Sequence, residues 1–179
     1  GGGKAPMDEL IEQTKLALNN KKVVSKNFTK QIAFNAIPHI DVFTDDGYTK
    51  EEIKMTNETK KILDSKINLT ATCVRIPVLV SHSESVNIEF EKPFTLEKVT
   101  HALDNFEGCK VVDERSDGGY TTPIEAEGNN LTFISRIRED KSLKNGLNMW
   151  IVSDNLLRGA ALNAVEIAEK LIENNFYGK

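Results

Sequence analysis

TCVRIPVLVSHSE, residues 72–84, decides how this chain is read. The β-branched, apolar run that ends at Val80 reads as a buried strand, and INLTA before it extends that strand to 67–80. A turn at SHSE follows, then a second strand, SVNIEFE (85–91). Two residues disturb the run. Arg75 stands inside it, and His82 follows seven residues later, where it ends. An unpaired ion in an apolar strand costs on the order of several kcal/mol. Arg75 therefore needs a partner: either a structural salt bridge, or a ligand carboxylate held by the guanidinium fork. His82 alone reads as a solvated or hydrogen-bonded residue, although its pKa suits acid–base work near neutral pH. Seven residues of straight strand cover roughly 23 Å, and an odd spacing turns the two side chains to opposite faces. They can address one small ligand only if the chain bends, and the break is expected between Pro77 and Ser81.

Outward from this stretch, strands alternate with single helices. Pro6 suits the first turn of a helix, and Met7, Leu10, Ile11, Ala17 and Leu18 follow at helical spacing up to Asn19-Asn20. Residues 30–43, KQIAFNAIPHIDVF, are extended and broken at Pro38. Thr49 followed by Glu52 is the capping-box pattern and opens a very polar helix over 50–63. An amphipathic helix covers 95–106, and strands are predicted at 110–113, 131–140 and 147–154. The last helix, 155–174, carries Leu157, Ala161, Ala164, Val165, Ala168, Leu171 and Ile172 as its apolar stripe. This order predicts an α+β fold with a mixed, mostly antiparallel sheet and helices on one face.

The 179 residues are 39% hydrophobic and 28% charged, which suits one domain, 1–179, with a core of its own. A net charge of −4 argues against nucleic acid and anionic membranes as partners, since both select a basic face. No apolar stretch is long enough to span a bilayer, and two isolated cysteines argue against a disulfide framework and for a reducing compartment, so a cytoplasmic location is expected. Cys73 and Cys109 form neither a CxxC pair nor a Cys/His cluster, so no metal site is expected. Glu51 and Lys54, three apart, share a helix face. Such pairs are usually exposed ion pairs worth a few tenths of a kcal/mol. The functional alternative is a grip on an anion by Lys54 and an ammonium by Glu51. His39 and His101 read as structural or solvated.

The ordered blocks FNAIPHIDVF, GYTKEEIKMTNETKKIL, ATCVRIPVLVSHSESVNIEFE, FISRIRED and MWIVSDNLLRGAALNAVEIAE closely resemble the carboxy-terminal half of aspartate-semialdehyde dehydrogenases. The resemblance implies the fold of the glyceraldehyde-3-phosphate-dehydrogenase-like C-terminal domain. It implies a homodimer with sheets facing across a two-fold, and a terminal helix, within 155–179, that packs on a coenzyme domain. It also implies NADPH-dependent reduction of β-aspartyl phosphate to aspartate β-semialdehyde with release of phosphate, on the way to lysine, threonine, methionine and diaminopimelate.

Carried over residue by residue, the resemblance makes Arg75 the ligand of the substrate α-carboxylate and His82 the general acid–base. It makes Lys54 a phosphate ligand, Glu51 the partner of the substrate ammonium, and Asn155 the contact to the nicotinamide carboxamide of NADP. The family's Rossmann domain, its Asn-Cys-Ser/Thr nucleophile and its substrate-binding glutamine have no counterpart here. Neither Cys73 nor Cys109 lies in such a motif. The chain thus reads as part of a longer protein, inactive by itself, with its opening glycines the end of a Ser-Gly turn or of a tag. Two other readings compete. One is a non-catalytic oligomerisation module, which would need none of Glu51, Lys54, Arg75 and His82. The other is a relative of N-acetyl-glutamyl-phosphate reductase, whose substrate has no ammonium for Glu51.

Overall fold

Glycine at position 3, at φ 84, turns the chain into α1 (Lys4–Leu18), with Pro6 in its first turn where no helical N–H bond is lost. Apolar Leu10 packs with Ile32, Ala33, Ile37 and Phe28, a small core. The rest of that contact is polar and buried. Glu9 accepts from the backbone N–H groups of Lys26 (2.9 Å) and Asn27 (2.6 Å) and from Asn27 Nδ2 (2.7 Å). One turn later Gln13 donates to Glu9 and accepts from the N–H groups of Ile32 (2.9 Å) and Ala33 (3.3 Å). A carboxylate and an amide thus do for residues 26–33 what a neighbouring strand would otherwise do.

The computed structural model describes residues 2–176. Gly1, one of the opening glycines, and the final three positions of the 155–179 element lie outside the described residues. The chain divides into two units, Gly2–Leu79 and the part from Val80 onward, where the sequence reading expects one domain. Among the described residues, no helix is long and apolar enough to cross a membrane.

In the first unit α2 (Lys50–Ile62) has the expected capping box: Thr49 Oγ1 accepts from the Glu52 N–H (3.4 Å), and Glu52 Oε2 accepts from the Thr49 N–H (2.8 Å). The strand expected over 67–80 does not form. Its backbone donors go elsewhere: the Cys73 N–H to Glu52 Oε1 (2.8 Å) and the Arg75 N–H to the Ile37 carbonyl (2.8 Å). Only the Ile37–Arg75 pair is bridged. Pro77 then removes a donor, and bends follow to Val80. The predicted break between Arg75 and His82 is therefore present, and it is wider than expected.

The second unit holds a four-stranded sheet in the order β1-β4-β3-β2. Its strands are β1 (His82–Glu89), β2 (Cys109–Val111), β3 (Thr132–Asp140) and β4 (Gly146–Ser153). β4 pairs antiparallel with β1 and β3, while β2 joins β3 in parallel. The sheet is mixed and mostly antiparallel, as expected. Helix α3 (Leu96–Asp104), capped by Thr95, lays Leu96, Val99 and Leu103 on Ile134, Ile137, Leu147 and Met149. The other face carries the cross-strand rows Ser85–Trp150–Ser135 and Asn87–Asn148–Arg138. A bulge between Ser135 and Arg138 places Arg136 at φ 56. Asp113 accepts from both bulge N–H groups, Arg136 (2.6 Å) and Ile137 (3.1 Å).

A short helix, α4 (Pro123–Ala126), precedes β3, and α5 (Leu162–Glu173) ends the described chain. The expected helix start at 155 is corrected by the backbone. Arg158, Gly159 (φ 77) and Ala160 leave helical angles, and the regular helix begins only at Leu162. Within the stripe, Val165, Leu171 and Ile172 are exposed.

Candidate functional site

In the first unit, Lys54 Nζ reaches both carboxylate oxygens of Glu51 at 2.8 Å. This is the intrahelical pair that the i, i+3 spacing permits. The Glu51 hydrogen bond raises the Lys54 pKa against a smaller opposing effect of partial burial. Glu51 is thus paired with Lys54 and does not serve as the salt-bridge partner of Arg75. Arg75 is half-buried, and among the described residues no acidic side chain forms an ion pair with it. Arg75 lines a cleft of about 440 Å³ together with Asn27, Thr29, His39, Asp41 and Phe43. His39 stacks on Phe43 with ring centroids 4.3 Å apart, and its buried Nε2 has no hydrogen-bond partner. A guanidinium in no ion pair among the described residues, in a cleft that also holds the Asp41 carboxylate, is able to bind a carboxylate or phosphate.

In the second unit, His82 heads β1 and lies opposite Ser153 of β4. Asn155 lies two positions past the end of β4, and its Oδ1 accepts from the Ser81 N–H at 2.8 Å. Ser81 is buried at 6% exposure, has φ 83, and donates from Oγ to the Pro123 carbonyl at 3.0 Å. Buried Asp154 accepts from the N–H groups of Leu156 and Gly128, both at 2.8 Å. The fold therefore gathers Glu51 with Lys54 in one unit, and His82 with Asn155 in the other. Ser81 and Asp154 escaped the sequence reading. A left-handed serine has no composition signal, and an aspartate after a strand is read as an ordinary turn residue.

Both cysteines are free and partly buried. Burial pushes the Cys73 thiol up, reinforced by Glu52 and Glu51, and burial does the same to Cys109. Among the described residues, no group of three or more His, Cys, Asp or Glu side chains is placed to hold a metal ion.

Comparison with known proteins follows the same lines. Residues 1–158 match the family described as semialdehyde dehydrogenase, dimerisation domain. Aspartate-semialdehyde dehydrogenase of Aquifex aeolicus is 48% identical over 97% of this chain and 52% of its own length. The Bacillus subtilis protein of that name is 44% identical over 98% of this chain and 53% of its own. A crystal structure of Vibrio cholerae aspartate semialdehyde dehydrogenase II complexed with ASA superposes with TM-score 0.91 at 43% identity, over 96% of this chain and 51% of that one. The Candida albicans enzyme with NADP superposes with TM-score 0.67 at 26% identity, over 82% and 46%. The chain spans about half the length of the relatives it matches. With its mixed sheet and its residues 1–158 both matching, the chain belongs to the semialdehyde dehydrogenase dimerisation-domain family.

Proposed function

We propose that this chain is the substrate-binding and dimerisation half of an NADP-dependent aspartate-semialdehyde dehydrogenase, which reduces β-aspartyl phosphate to aspartate β-semialdehyde and releases phosphate. The observation that carries the reading is Arg75: a half-buried guanidinium in a cleft, paired with no acidic side chain among the described residues. A substrate α-carboxylate answers that charge in two parallel hydrogen bonds. The solved relative from Vibrio cholerae, complexed with ASA, supports it.

In this reading Lys54 donates to the phosphate through the N–H groups that Glu51 leaves free. Glu51 retains lone pairs for the substrate ammonium, a contact that an N-acetylated substrate could not make. His82 exchanges a proton at the reacting centre. NADP supplies or takes the hydride when bound, and Asn155 offers its amide to the carboxamide. In this reading the nucleophilic thiolate belongs to another part of the enzyme, since neither Cys73 nor Cys109 lies in an Asn-Cys-Ser/Thr motif and burial raises the pKa of both. The chain alone should therefore bind substrate weakly and turn none over.

The same reading assigns the open sheet face to a second copy. Ser85, Tyr120, Trp150, Arg136 and Arg138 border a shallow depression there, and a biological contact needs roughly 1,000 Å² or more. The exposed stripe of α5 then belongs against the coenzyme domain.

Arg75→Ala in the complete enzyme tests the assignment. Losing a charge-assisted bidentate contact of about 2–3 kcal/mol should raise the KM for semialdehyde on the order of 30- to 100-fold. A KM within twofold of the parent would remove Arg75 from the substrate site.

A further inference from the structure

We infer that Asn155 is a positioning residue for His82 as well as a ligand contact, and that one amide does the two tasks with different atoms. The inference rests on the proposed roles of His82 and Asn155 and adds a physical link between them. A backbone N–H can only donate, so the Asn155 atom facing Ser81 at 2.8 Å is the oxygen. That fixes the orientation of the amide. Nδ2 is then the amide atom left for a ligand, and because it donates, the ligand group it takes must be an acceptor, such as the oxygen of a carboxamide.

The other end of the contact is the unusual one. Ser81 is a non-glycine residue at φ 83, a conformation that persists only where its surroundings impose it. Two bonds impose it here: N–H to Asn155 Oδ1, and Oγ to the Pro123 carbonyl. Ser81 is buried, so water does not replace the amide oxygen if it is removed. The next residue is His82, whose backbone is fixed from the other side by its place opposite Ser153. His82 thus leaves an elbow clamped by β4 on one side and by the residue two positions beyond Ser153 on the other. Relaxing the elbow moves the imidazole, and a displacement of about 1 Å at a reacting group costs on the order of 100-fold in rate.

The amide's divided labour permits a separating experiment in the complete enzyme. In Asn155→Asp a carboxylate oxygen still accepts from Ser81, but the Nδ2 donor is gone. In Asn155→Ala both are gone. Asn155→Leu, close to Asn in shape, serves in its place if the alanine variant does not fold. Both kinds of variant should raise the KM for NADP, Asp at least as much as Ala or Leu because its carboxylate faces an acceptor. Whatever the lost donor costs is common to all the variants, so the clamp is read from their difference: kcat of Ala or Leu should fall roughly 30- to 100-fold below that of Asp. Hydrogen exchange at the Ser81 amide should be slow in the parent and in Asn155→Asp, and fast in Asn155→Ala or Asn155→Leu. Equal kcat in the Asp and Ala or Leu variants, or equal Ser81 protection, overturns the positioning role. His82→Ala separates the two layers of the argument. An unchanged kcat there refutes the acid–base assignment, while the exchange pattern still decides the clamp.

Discussion

The two units solve one problem in opposite ways. The part from Val80 onward satisfies its backbone in a sheet and buries Ile134, Ile137, Leu147 and Met149 under α3. Gly2–Leu79 has two helices, isolated bridges rather than strands, and a buried cluster of Leu10, Ile32, Ala33 and Ile37. There, side chains answer the backbone: Glu9 and Gln13 for residues 26–33, Glu52 for Thr49 and Cys73. The difference teaches where each kind of functional group can be carried. Irregular chain pinned by carboxylates leaves charged groups such as Arg75 facing a cleft. A ladder fixes His82 to within the tolerance of a strand.

Apolar packing and polar pinning should fail differently. The largest effect is expected in the sheet. Leu147 is 0% exposed, and Leu147→Ala should cost about 3–4 kcal/mol in urea unfolding followed by the single tryptophan, Trp150. A loss under about 1 kcal/mol would mean that the sheet core is not what stabilises this unit.

Next comes the first unit. Glu9→Ala leaves the N–H groups of Lys26 and Asn27 without their acceptor and should cost about 2–3 kcal/mol, with faster exchange at those amides. The same carboxylate adds a pH signature. Burial alone would raise its pKa, but the hydrogen bonds from Lys26, Asn27 and Gln13 outweigh it and hold the pKa below the ordinary glutamate value. The stability it contributes is therefore complete above the unfolded pKa and is lost as pH falls through the lower, folded one. Glu9→Gln should flatten that acid limb, and an unchanged acid profile would break the contrast between the units.

The smallest effect sharpens the comparison. The Lys54–Glu51 pair is part-exposed, so Lys54→Met should change stability by less than about 0.5 kcal/mol while raising the KM for phosphate in the complete enzyme. A stability loss above about 1 kcal/mol with unchanged KM would make the pair structural.

The same contrast explains what could be read from the residues. Sheet strands at 131–140 and 147–154 were legible because alternation or a continuous apolar run fixes them locally. The box at Thr49 and Glu52 was legible because it is four residues long. Residues 67–80 misled, since nothing in ATCVRIPV shows that Glu52, some twenty positions earlier, takes the Cys73 N–H. The late start of α5 is explained by Gly159 at φ 77, one of several glycines that sequence alone could not rank. Arg75, His82, Glu51 and Lys54 were singled out by chemistry and by resemblance, Asn155 by resemblance alone. The Ser81–Asn155 bond, spanning most of the second unit, lay beyond both.

The bulge in β3 makes one residue supernumerary. Arg136 and Ile137 together face what one residue would face in a regular ladder, so Ile134 and Ile137 point to the same side although three positions separate them. Removing Arg136 would restore strict alternation and keep Ile137 inward and Arg138 outward, at the expense of one N–H that Asp113 now holds. This strand is therefore buffered against a change in its own length. A one-codon deletion, ruinous in most strands because it inverts every side chain beyond it, would here leave the hydrophobic phase of the sheet intact.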